Sequence, residues 1–99
     1  MSPKEACELI QIVVAEQGHK YPDCHFRVRL IGDGVVMTAA DRFHRSTIFV
    51  WTLKEIEEMT FLGAHGFFDA VSMGMRVALD AADMIAVEVE PYEIQSSVE

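Results

Sequence analysis

Apolar residues recur with a helical period at the start of the chain. Ala6, Leu9, Ile10 and Val13 follow the i, i+3, i+4, i+7 pattern, and Cys7 and Val14 widen the stripe. Ser2 stands at an N-cap position, Pro3 at the first helical position, and Glu5 completes an S-x-x-E capping box. Gly18 is a natural stop. The pattern predicts a helix over residues 3–17.

After a polar linker, His19 to Asp23, the period changes to two. Phe26, Val28 and Leu30 alternate with His25, Arg27 and Arg29, which predicts a half-buried strand. Gly32-Asp33-Gly34 contains the Asp-Gly pair that favours a tight hairpin turn, and residues 35–41 bring the chain back. A two-residue loop puts Val28 and Leu30 on one face with Val35, Met37 and Ala39; a three-residue loop swaps that parity. A third β-rich run follows at Thr47 to Trp51. Thr52-x-x-Glu55 is a second capping box and opens a short helix to about Met59.

Gly63 and Gly66 bracket a break, and the longest helix is expected over residues 67–83. Phe68, Val71, Met75, Leu79 and Ala82 form its apolar stripe. Ala70, Gly74, Ala78 and Ala82 recur every four residues within it. A row of small side chains permits close approach, either to the sheet or first helix, or to a second copy in a dimer seam. Residues 85–91 alternate Ile, Val and Val with Ala, Glu and Glu before Pro91, which reads as an edge strand. Residues 92–99 read as a frayed tail. The expectation is one α+β domain over residues 1–99. It has an antiparallel sheet of three to four strands, helices on one face, and the order α-β-β-β-α-α-β.

Hydrophobic residues make up 51% of the 99 residues, enough for a core. No apolar run reaches the roughly 18 residues of a membrane span. The early acidic residue Glu5 does not suit a secretory signal. Two cysteines, Cys7 and Cys24, are too few for a disulfide framework, and the expected compartment is the cytoplasm.

Charge changes the picture most. The formal net charge is −8, and it is unevenly spread. Residues 20–45 carry Lys20, Arg27, Arg29, Arg42 and Arg45 against three aspartates; residues 46–99 carry only Lys54 and Arg76 against ten carboxylates. An α-β-β-β-α order with arginines on the hairpin also occurs in double-stranded-RNA-binding domains, but element order carries no function by itself. The basic cluster expected at the start of the last helix is missing, with Gly66-Phe67-Phe68-Asp69 in its place. An acidic chain lacks the cations that displace counterions from a duplex, so direct nucleic-acid binding is not expected. Arg27 and Arg29 also match the alternation of Glu88 and Glu90, which predicts cross-strand ion pairs if the first and last strands are neighbours.

Candidate chemistry is thin. His19, Asp23, Cys24 and His25, with His44 further on, are zinc-ligand types, but their spacing matches no C-x2-C or H-x3-H pattern. A Cys24–His44 nucleophile pair is conceivable across the sheet, and nothing in the spacing demands it. No metal, cofactor or catalytic residue is assigned.

Two surfaces suggest binding instead. If Phe26, Val28, Leu30, Met37, Ala39, Ile48 and Val50 face the helices, then Arg27, Arg29, Val36, Thr38, Ala40, Phe49 and Trp51 share the other face. Arginine and aromatic side chains of that kind are enriched in interfaces. Glu55, Glu57, Glu58, Asp69, Asp80 and Asp83 form a carboxylate-rich surface that steers basic partners. The expected function is a non-enzymatic protein-binding module, an inhibitor that occludes a basic, nucleic-acid-binding surface. Immunity proteins against nuclease toxins and phage anti-CRISPR proteins are analogies of charge, not of sequence. The alternative is a homo-oligomer subunit, a homodimer for instance, joined through the Phe49/Trp51 face or the Ala70/Gly74/Ala78 stripe. A small Cys/His enzyme or metal protein is the third reading.

Overall fold

Two hydroxyl caps set where helices begin. In the computed structural model, which describes the backbone of residues 1–98 and the side chains of residues 1–83, Ser2 Oγ accepts from the Glu5 N–H at 3.2 Å. It opens α1, Pro3–Gln17, the span its periodicity predicts. Thr52 Oγ1 accepts from the Glu55 N–H at 3.1 Å and starts α2, Leu53–Thr60. A two-residue turn, Phe61 and Leu62, leads through Gly63 (φ +79°) into α3, Gly63–Val98.

Between these helices lie β1 (His25–Ile31), β2 (Gly34–Ala40) and β3 (Ser46–Thr52), an antiparallel sheet in the order β1-β2-β3. Ile31 pairs with Gly34, so the β1–β2 loop is the two residues Gly32 and Asp33, rather than the Asp33-Gly34 pair. Gly32 adopts φ +59° while Asp33 stays negative, the pattern of a type II′ turn with glycine first. That loop length fixes the register. Leu30 faces Val35, Val28 faces Met37, and Phe26 faces Ala39.

All three helices pack on one side of the sheet. Ala6, Ile10 and Val14 of α1, Ile56 of α2 and Val71, Met75 and Ala78 of α3 close over Val35, Met37 and Ala39. The coarse expectation holds: an α+β fold, an antiparallel sheet, three helices.

The helix expected over residues 67–83 begins at Gly63, so Gly66 lies inside α3 rather than at a break. Two further expectations are corrected. The fourth strand does not form, because α3 covers residues 85–91 and the order ends α-α rather than α-α-β. No glycine or proline stands between Gly74 and Pro91 to stop a helix already nucleated. The side chains of Glu88 and Glu90 lie outside the described residues, as do those of the expected 92–99 tail, whose backbone to Val98 belongs to α3.

The second correction is the facing of β3. Val35 pairs with Trp51, Met37 with Phe49 and Ala39 with Thr47, so Phe49 and Trp51 point into the helical layer. Ile48 and Val50 point away from it and are 66% and 50% exposed.

Candidate partner-binding surfaces

The face of the sheet opposite the helices is assembled by register. Arg27 lies beside Thr38, which lies beside Ile48; Arg29 lies beside Val36, which lies beside Val50. Both arginines are exposed. No carboxylate stands on the three strands, so this face is apolar at its centre and basic along β1. The expected placement of Arg27 and Arg29 on the open face therefore stands, while that of Phe49 and Trp51 does not.

Trp51 is 3% exposed, and its ring sits 4.7 Å from that of Phe49, tilted by 55°. Gly74 of α3 passes directly beneath them. A Cβ added there would lie 2.5 Å from Trp51 Cζ2 and 3.1 Å from Phe49 Cε1. The Thr47 hydroxyl donates to the Ala78 carbonyl and ties β3 to the same helix. The two seams proposed for a homo-oligomer, the aromatic pair and the small-residue stripe, are thus packed on each other. Both are internal.

The carboxylates occupy the helical layer. Glu55 and Glu58 of α2 and Asp69, Asp80 and Asp83 of α3 are exposed; Glu57 is partly buried, 3.6 Å from the N-terminal amine. They do not form one patch. Asp69 and Asp80 are eleven residues apart on α3, about 16 Å along the helix axis at 1.5 Å per residue. The acidic surface is a band running from α2 along α3, with Met73 and Val77 exposed between its aspartates. Arg76 is the one described cation on that α3 stripe, and the Glu57 contact is the only ion pair of these six carboxylates among the described residues.

Sequence reasoning missed Phe61. It is 87% exposed at the end of α2, three residues beyond Glu58 and next to the exposed Leu62. The signal was available: two large apolar residues just before a glycine at a helix end, on neither predicted apolar stripe.

The β2–β3 connection is built on Asp41. Its Oδ1 accepts from the N–H groups of Phe43 (2.9 Å) and Arg45 (3.0 Å), and Oδ2 accepts from Arg45 Nε at 3.2 Å. Burial pushes this carboxyl up, but the two backbone donors and the Arg45 guanidinium outweigh it and hold it below the ordinary aspartate value. His44 takes φ +63°, and the guanidinium carbons of Arg42 and Arg45 lie 4.7 and 4.5 Å from the centroid of the exposed Phe43 ring.

The Cys/His constellation gains little from the fold. His19, Cys24 and His25 line an open groove of about 520 Å³ between α1 and β1. Cys24 also borders a hollow of about 330 Å³ with Tyr21, Asp41, Arg76, Asp80 and Asp83. Burial raises the Cys24 thiol above its ordinary value, and Asp41, Asp23 and Asp83 raise it further against a smaller opposing effect of Arg42. A raised thiol is a poor nucleophile at neutral pH. No hydrogen bond joins Cys24 to His44, and no group of three His, Cys, Asp or Glu that could hold a metal occurs, among the described residues. No helix among them is long and apolar enough to cross a membrane.

Comparison with known proteins finds no matching family model, no matching curated protein and no matching solved structure.

Proposed function

We propose that this chain is a non-enzymatic protein-binding module that lays its acidic helical layer on a basic surface of another protein. The mode of action is occlusion of a site built for phosphates. The observation that carries the reading is the band of exposed carboxylates on α2 and α3, which among the described residues lacks compensating ion pairs beyond the N-terminal amine at Glu57. An uncompensated field of this kind accelerates encounter with a cationic surface. Lasting contact needs an apolar anchor. Trp51 is unavailable to a partner because it belongs to the core. Phe61, beside Glu58, takes that role.

The test is capture of partners from the native host's lysate at low and high salt, with parallel variants. Replacing Glu55, Glu57 and Glu58 together by Gln slows association several-fold at low salt and less near physiological ionic strength. Phe61→Ala weakens binding about thirtyfold if the ring is a hot spot. A partner whose capture ignores salt and both variants refutes this surface.

A further inference from the structure

The two edges of the sheet are built differently. On β1, charged or ionisable side chains stand at every second position, His25, Arg27 and Arg29, and Gln11 Nε2 of α1 donates to the Val28 carbonyl at 3.3 Å. Charges on an edge strand, and a side chain bonded to its backbone, are standard protections against strand addition. β3 has neither. Its seven residues, Ser-Thr-Ile-Phe-Val-Trp-Thr, contain no charge, no proline and no glycine, and they are β-branched or aromatic at six positions. Among the described residues no hydrogen bond reaches the outward backbone groups of this strand.

We infer that β3 is a docking edge whose occupant is β3 of a second copy, giving a continuous six-stranded antiparallel sheet around a two-fold axis. The sequence of the strand supports a second copy over another peptide, because it is self-complementary about its midpoint. With Phe49 on the axis, Ile48 faces the partner copy's Val50, Thr47 faces its Trp51 and Ser46 faces its Thr52. Hydroxyl-bearing residues fall at the ends and aliphatic ones next to the centre. Cross-strand pairs of apolar, β-branched and aromatic residues stabilise such a ladder. On the open face, Ile48 and Val50 of one copy gain neighbours of their own kind. The same operation on β1 would set Arg27 against Arg29 twice. Assembly therefore stops at two copies, since the guarded β1 edges become the outer edges of the extended sheet.

This inference does not rest on the acidic band. It also has the opposite salt dependence. Each copy carries a formal charge of −8. Screening therefore strengthens self-association, whereas it weakens docking on a basic partner.

Sedimentation of the pure protein at low and high salt provides the test. The expected result is a monomer–dimer equilibrium that shifts toward dimer as salt rises. Ile48→Lys with Val50→Lys places like charges opposite each other at both flanking pairs, and weakens the dimer about tenfold or more. Ile48→Lys with Val50→Glu places opposite charges at the same pairs, and returns the affinity to within about threefold of wild type. Both substituted side chains lie on the open face, so the core is not altered. Should either variant lose its circular dichroism spectrum, hydrogen exchange of wild-type β3 amides against protein concentration replaces it, with protection rising at high concentration. A wild type that stays monomeric at both salts overturns the inference. So do a Lys/Glu variant as dissociated as the Lys/Lys one, and β3 amides whose exchange ignores concentration.

Discussion

Gly74 shows how a single missing side chain fixes the packing of a helix on a sheet. The position lies beneath Trp51 and Phe49 with no room for a Cβ. Gly74→Leu gains about 1 kcal/mol in helix propensity. It nonetheless destabilises the fold by about 1–3 kcal/mol through overpacking, as urea denaturation would show. Unchanged stability would mean that α3 can slide away from the aromatic pair. Trp51→Ala leaves a cavity between sheet and helix and costs about 3–5 kcal/mol, read as lost folding before any lost binding. The four-residue spacing of small side chains was legible in the sequence. Its target was not, because the facing of β3 decides which rings meet it.

That facing was hidden for a reason specific to the strand. β1 announces its buried side by alternation, Phe26, Val28 and Leu30 against His25, Arg27 and Arg29, and the two-residue loop passes that parity to β2. β3 is apolar on both sides, Ile48 and Val50 as much as Phe49 and Trp51, so period two carries no sign there. Only the turn that delivers it can supply the parity, and that turn depends on Asp41 and a left-handed His44. The 85–91 run failed for the opposite reason. Its alternation is clear, but nothing interrupts the helix before it. Two helix starts, by contrast, were legible to the residue through Ser2 and Thr52; that of α3 was not, because the helix expected from Phe67 already begins at Gly63. At this scale the Asp41 turn predicts a pH effect. A carboxyl held below its unfolded value of about 3.9 contributes stability that is fully present above that pH. The contribution is lost as pH falls through the folded value. Asp41→Asn is therefore less stable than wild type at pH 7, and the gap closes on acidification; parallel acid titrations followed by circular dichroism would show a constant gap if the charge were irrelevant. Cys24, raised by burial and three aspartates, should alkylate more slowly than a free cysteine at pH 7.

The whole molecule is polarised: carboxylates on the helical layer, and four of the five arginines on the open sheet and the Asp41–Arg45 connection. The acidic half was readable from composition alone, but its form as a band along α3 needed the fold. Neutralising Glu55, Glu57 and Glu58 changes net charge without touching a core side chain. It should leave stability within about 1 kcal/mol, the loss being the Glu55 cap contribution and the contact of the partly buried Glu57 with the N-terminal amine, when measured by thermal unfolding. A larger loss would place these residues in folding rather than recognition. Shape also matters for any assembly measurement. The 36 residues of α3 extend about 54 Å, close to the 56 Å long dimension of the molecule. The radius of gyration is 15.7 Å, against about 13 Å for a compact chain of this length. Elution volume alone would overstate the mass, so sedimentation or light scattering is the proper readout.

The burial of Trp51 between β3 and α3 has an optical consequence. As the sole indole of the chain, it makes intrinsic fluorescence a one-site signal. Emission in the native state is shifted to the blue and shielded from iodide, and it turns red only when α3 lifts from the sheet. A detachment of α3 that leaves the strands paired would therefore be visible by eye on a fluorimeter trace while the far-ultraviolet spectrum still reported an intact sheet.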